Sequence, residues 1–171
     1  MTDEQTPAWF EVIVEIPRGS RNKYEVDHHT GATWFDRHLF STTVYPTEYG
    51  FFPDTLAEDG DPLDALILLE EPTFAGCHIR ARPVAVLEMA DEAGRDLKVL
   101  CVASGDMRWD HLQDVDDVPE HLRAEIKHFF EVYKDLEPGK RSNVEDWQDR
   151  AAAVDAIAAA RAAYPGDAPS A

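Results

Sequence analysis

Basic residues are scarce in this chain. Its 171 residues carry 16 Lys and Arg against 34 Asp and Glu, a formal charge of -18, and a field of that sign repels a nucleic-acid backbone or an anionic lipid surface. Neither nucleic acid nor a membrane is an expected partner. Cysteine is almost absent: only Cys77 and Cys101 occur, without CxxC spacing, and their apolar surroundings predict two buried, reduced thiols within strands. Apolar runs long enough to span a bilayer are missing. The first dozen residues lack the basic start and apolar stretch of a secretion signal, so the expected location is the cytoplasm.

What is present suits an ordinary globular chain, with 44% hydrophobic and 29% charged residues. The length fits one domain over 1–171, with flexible tails expected at 1–8 and 164–171. Alternation over Trp9 to Ile16 predicts a half-buried strand stopped by Pro17. Lys23 to Val26 and Thr33 to Phe35 predict a hairpin turning at Gly31. The segment from Tyr45 to Pro53 is aromatic and broken by prolines, which predicts a structured loop or edge segment. Asp64 to Leu69, Ile79 to Met89 and Leu97 to Ala103 predict further strands, with a turn over Asp91 to Gly94. Short strands joined by turns point to a barrel. Beyond Pro119, the spacing of Leu122, Ile126, Phe129, Phe130 and Tyr133 predicts a helix. Trp147 to Ala163 predicts an alanine-rich terminal helix that packs weakly.

The sharpest feature is Asp59-Gly-Asp61-Pro-Leu-Asp64. Three carboxylates around a permissive glycine and a stiff proline can converge on divalent cations that supply the missing positive charge. All-oxygen ligation favours Mg²⁺ or Mn²⁺ over Zn²⁺. The bland alternative is a solvated acidic turn. An EF-hand loop started at Asp59 fails at Leu63 and Asp64, and Asp27-His28-His29 lacks the α/β alternation of phosphoesterases that bear a similar triplet. Asp91, Glu92 and Asp96 form a second acidic group. Lys23, Arg37, Lys98, Lys134, Tyr45, Tyr49 and Tyr133 form a third group of cations and phenols, whose members taken one by one read more readily as surface or snorkelling side chains.

Together these segments closely resemble the family I soluble inorganic pyrophosphatases, whose signature D-G-D-P-[apolar]-D is met at Asp59 to Asp64. The resemblance continues through Glu15-Ile-Pro, Lys23-Tyr-Glu25, Asp36-Arg37, Tyr45-Pro-Thr-Glu-Tyr49-Gly, Asp91-Glu92, Asp96-Leu-Lys98 and His128 to Glu137. It covers roughly Phe10 to Trp147, and Arg18 to Lys23 with His28 is similar to the actinobacterial branch. It implies an α+β, mainly β fold: a closed OB-like β-barrel of about five strands flanked by helices. It implies hydrolysis of pyrophosphate to two phosphates by a water or hydroxide that bridges metals. Mg²⁺ is the implied cofactor, Mn²⁺ or Zn²⁺ substitutes and Ca²⁺ an inhibitor. Asp59, Asp64, Asp91 and Asp96 are implied as metal ligands, with Glu15 and Glu25 acting through water. Lys23, Arg37, Lys98, Tyr133 and Lys134 match phosphate-binding positions, and Tyr49 is similar to an active-site tyrosine. Asp61 resembles the residue assigned as general base, with Asp96 the competing candidate. Self-association as a homohexamer is implied by the same likeness. The rivals are a nucleoside-triphosphate phosphohydrolase and a non-catalytic cation-binding module.

Overall fold

The computed structural model describes residues 7–166. The tails expected at the two ends therefore fall largely outside the described residues. The elements run β1 (Phe10–Ile16), β2 (Asn22–Val26), β3 (Thr33–His38), β4 (Glu48–Phe51), β5 (Asp64–Leu68), β6 (His78–Asp91), β7 (Gly94–Arg95), β8 (Lys98–Ala103), α1 (Glu120–Val132), β9 (Ser142–Gln148) and α2 (Arg150–Ala163). Strands β1, β4, β5, β8 and β6 neighbour one another in that order, and β6 pairs back onto β1. The ring of five strands is closed, so no free edge remains within it. Strands β7 and β9 extend β6, and β2 with β3 forms a separate antiparallel ribbon.

The pairing of β5 with β8 is parallel, whereas the other pairings of the ring are antiparallel. That contrast explains why Ala65 to Leu68 and Val99 to Val102 read as unbroken apolar runs: strands buried on both faces cannot alternate with polar residues. Leu66, Leu68, Leu100 and Val102 enter one apolar cluster with Ile126, Phe129 and Phe130 of α1. Ala65, Ile67, Val99 and Cys101 enter a second cluster with Ala153, Ile157 and Ala160 of α2. The terminal helix thus does not pack weakly. Small alanines let it lie close to the barrel wall, Asp149 caps it by accepting from Ala152 N at 2.9 Å, and its buried stripe covers the second cluster.

Three other expectations are corrected. Glu48 to Phe51 is an interior strand bonded on both sides, because Pro46 and Pro53 flank the ladder without entering it. Trp147 belongs to β9, where Val144 and Trp147 are the apolar residues packed against the core, a pattern too sparse to signal a strand. Cys77 lies just before β6 and is only half-buried, although Cys101 is fully buried and both thiols are free.

Gly50 is needed for closure. A Cβ there would lie 2.1 Å from the Ile13 carbonyl oxygen, in the pairing of β4 with β1. Neither backbone can yield without opening the ring. Gly50→Ala is expected to cost as much as or more than the about 1–3 kcal/mol typical of overpacking, read as a lowered urea midpoint with the slope retained. An unchanged midpoint would show that this seam has slack.

Candidate active site

One polar cleft of about 540 Å³ opens where the starts of β5 and β8 meet the end of β6 and the β2–β3 ribbon. Glu15, Lys23, Glu25, Arg37, Tyr49, Asp59, Asp61, Asp64, Asp91, Asp96, Lys98, Tyr133 and Lys134 all line it. These candidate residues are thereby brought to one place, whereas Tyr45 of the same set of phenols is buried in the apolar core with its ring against Tyr49 and Phe129. Asp36, Glu92, Lys140 and His28 line it too. Asp36, Glu92 and His28 stand in segments that carry the family resemblance, which was the available signal for those three, and Lys140 had none.

Local folding explains the convergence. Parallel register sets Asp64 directly beside Lys98. The Lys98 ammonium donates to Asp64 Oδ2 at 2.6 Å, to Asp96 at 2.8 and 2.9 Å, and to the Tyr49 hydroxyl at 3.0 Å. It is 2% exposed and Asp96 is 6% exposed. Burial works against the charge on Lys98, yet Asp64, Tyr49 and Asp96 outweigh it and hold the lysine protonated, its pKa well above the ordinary value. Burial pushes the Asp64 carboxyl up to about 7, against the pull of Lys98 and with the help of Asp96. Burial also raises the Tyr49 hydroxyl, keeping its proton in place.

The turn carrying Asp59 and Asp61 is tied by its own backbone. Asp59 Oδ1 accepts from Asp61 N at 3.0 Å, and the Asp61 carbonyl accepts from Ala57 N at 2.8 Å. Gly60 takes φ +89°, which an L side chain would resist. Burial, with Asp96 and Asp61 nearby, raises the Asp59 carboxyl despite the Asp61 N–H. Glu15 accepts from Val26 N at 2.7 Å, fastening β1 to the ribbon, and burial pushes its carboxyl to about 7.

On the opposite wall each cation is already neutralised. Lys23 and Arg37 are register partners in the ribbon. Lys23 contacts Glu25 at 2.6 Å and Asp36 at 3.1 Å, while Arg37 contacts Asp36 and reaches the nearly buried Glu137 at 2.7 Å. Lys134, brought by the end of α1, lies 3.3 Å from Asp91. Burial raises the neighbouring Tyr133 hydroxyl, against Lys98 and Lys134. His28 meets the Phe51 ring edge-on at 4.9 Å.

Nine carboxylates and five Lys or Arg line the cleft, an excess of four negative charges. Among the described residues no three carboxylates, imidazoles or thiolates stand close enough to ligate one ion as placed. Mutual repulsion spreads them, and Lys98 supplies the positive charge between Asp64 and Asp96. The donor set nonetheless fits hard divalent cations: it is all oxygen, and its negative charge exceeds the positive charge that lines the same cleft.

A sequence profile described as inorganic pyrophosphatase matches residues 12–165. An inorganic pyrophosphatase of Leifsonia xyli is 59% identical over 144 residues, covering 84% of this chain and 88% of that one. One from the archaeon Methanosarcina acetivorans is 54% identical, covering 96% and 95%. The crystal structure of inorganic pyrophosphatase from Thermus thermophilus superposes with a TM-score of 0.90 at 47% identity, covering 97% of each chain. Fold, sequence and the acidic cleft agree, and this chain belongs to the inorganic pyrophosphatase family.

Proposed function

We propose that this chain is an inorganic diphosphatase that hydrolyses pyrophosphate to two phosphates with Mg²⁺. The observation that carries the reading is the single cleft in which an excess of carboxylates faces Lys23, Arg37, Lys98 and Lys134. A highly charged anion cannot enter that field unless divalent cations reverse its sign locally. The assigned ligands are Asp59, Asp64, Asp91 and Asp96, with Glu15 and Glu25 further out and acting through water. Mg²⁺ held there supplies positive charge to phosphoryl oxygens and lowers the proton affinity of bound water.

The protein's own groups do the rest. Lys23, Arg37, Lys134 and Tyr133 bind the phosphates, and each cation must exchange a carboxylate partner for a phosphate oxygen as substrate arrives. Lys98 and Tyr49 are preset by their mutual hydrogen bond and need little reorganisation. Asp61 is exposed, and its carboxylate makes no hydrogen bond or ion pair to the described residues, so it is free to accept a proton from the attacking water. Both Asp96 oxygens are engaged by Lys98, which favours the ligand role for Asp96 over the base role.

A single catalytic domain, a homohexamer and a cytoplasmic location belong to the same reading; the first rests on chain length, the second on family likeness and the third on the sequence pattern of the first dozen residues and the lack of a bilayer-spanning apolar run. No helix among the described residues is long and apolar enough to cross a membrane.

Phosphate release from pyrophosphate, ATP and p-nitrophenyl phosphate tests the proposal. Rapid release from pyrophosphate alone is expected, abolished by chelation, restored by Mg²⁺ and more weakly by Mn²⁺ or Zn²⁺. Ca²⁺ should bind and inhibit, since its longer and looser coordination misplaces the reacting groups. Full activity after exhaustive chelation, or equal rates with Ca²⁺ and Mg²⁺, would overturn the metal assignment.

A further inference from the structure

We infer that Thr55 is a positioning residue for the acidic turn, acting through a hydroxyl inserted into the ladder between β4 and β5. This inference rests on the reading of Asp59 and Asp64 as metal ligands. The last registered pair of the two strands is Phe51 with Asp64. One step beyond, Phe52 N donates to the Leu63 carbonyl at 2.9 Å, but the reciprocal bond expected of an antiparallel pair is not direct. Instead Leu63 N donates to Thr55 Oγ1 at 2.9 Å, and that hydroxyl donates to the Phe52 carbonyl at 2.6 Å. Phe52, Thr55 and Leu63 are each 2% exposed or less, so water cannot take over any of these bonds.

Backbone geometry near the relay is unusual in the way it requires. Asp54 has φ +56°, the one non-glycine residue among those described in the left-handed region. This conformation turns the chain so that the next side chain reaches back to the strand it has just left. One residue further on, Leu56 N donates at 2.9 Å to the carbonyl of Ala160, in the last turn of α2, where carbonyls look beyond the helix for donors. The segment 52–63 is therefore closed at its neck by one hydroxyl and fastened at its side by a helix end. It presents Asp59 and Asp61 from its tip and Asp64 from the residue after its neck. The Thr55 hydroxyl bonds to backbone groups, and Thr55 does not line the cleft.

Residues that orient ligands from behind typically cost about 10–100-fold in metal affinity or activity when changed. Thr55→Val keeps the shape and removes the hydroxyl, and Thr55→Ser keeps the hydroxyl. Calorimetric titration with Mg²⁺ in the absence of substrate should show affinity weakened about 10–100-fold in Thr55→Val and the wild-type titration restored in Thr55→Ser. In the wild type, hydrogen exchange of the Leu63 amide should slow on adding Mg²⁺, because a neck that favours the metal is by linkage favoured by it. A folded Thr55→Val with wild-type Mg²⁺ affinity would overturn the inference, as would a serine variant impaired like the valine. If Thr55→Val does not fold, a Leu63 amide indifferent to Mg²⁺ overturns it. A wild-type chain that takes up no Mg²⁺ would remove the metal reading itself, and this inference with it.

Discussion

Lys98→Met is expected to destabilise the metal-free protein by about 3 kcal/mol or more and to leave little pyrophosphatase activity. The lysine is the only cation bonded to both Asp64 and Asp96 among the described residues, and it is buried with them. Breaking a buried pair by removing one partner costs about 3–5 kcal/mol, since a charge is left without compensation in a poorly solvated place. The lower end applies here because Asp64 keeps some contact with solvent and can relieve repulsion by taking a proton. Methionine preserves the packing of the aliphatic stem against Tyr49 and Phe130, over whose rings the ammonium sits at 5.3 and 5.7 Å. The loss is then mainly electrostatic, and its signature is a dependence on Mg²⁺. A divalent cation at the same carboxylates replaces the missing charge, so Mg²⁺ should raise the unfolding midpoint of the variant more than that of the wild type. Urea unfolding with chelator and with Mg²⁺ provides the measurement. A variant as stable as the wild type in chelator would show that Asp64 and Asp96 are not held by this lysine.

The position of that lysine marks the boundary of what could be read in advance. Asp59 to Asp64 alone reads equally as a solvated acidic turn, and it became legible as a site only through the further segments that share the family pattern; its terminal residue sits at the start of β5. That Asp64 would lie beside Lys98 could not be read, because their adjacency is set by the parallel register of β5 and β8 across the closed ring. Periodicity reports which faces of a strand are buried and is silent about which strand is the neighbour. Helix α1 was legible since Ile126, Phe129 and Phe130 meet one core at the helical period. Strand β9 was hidden by having two apolar residues in seven and by the irregular register opposite Leu87 and Met89. Strand β4 was hidden by its brevity and by Gly50, whose absent side chain is what allows β1 to approach. The neutralising partners Asp36 and Glu137 were visible only as members of a family pattern. Asp36 pairs with Arg37 within β3, while the pairing of Glu137 with Arg37 depends on the ribbon folding over the end of α1.

Asp61→Asn and Asp96→Asn should fail in different ways, and the difference separates proton acceptor from metal ligand. Asp61 stands at an exposed tip, where its backbone is fixed by Asp59 and Ala57 while its carboxylate is unengaged. An amide there disturbs no buried bond, so folding stability and Mg²⁺ affinity should remain close to wild type. Turnover should fall by the about 10²–10⁴-fold typical of losing one general base. Raising the pH should recover part of it, because bulk base can then take the proton that Asp61 no longer accepts. Asp96 is nearly buried and gives both oxygens to Lys98. An amide removes its charge and presents an N–H₂ group toward the ammonium, which destabilises the pair from within. Asp96→Asn should therefore unfold at lower urea, bind Mg²⁺ more weakly and regain part of its turnover when Mg²⁺ is raised. Mg²⁺ titrations without substrate, urea midpoints and pH–rate profiles on both variants give three independent readings. Recovery of Asp61→Asn by Mg²⁺, with Asp96→Asn responding only to pH, would require the two roles to be exchanged.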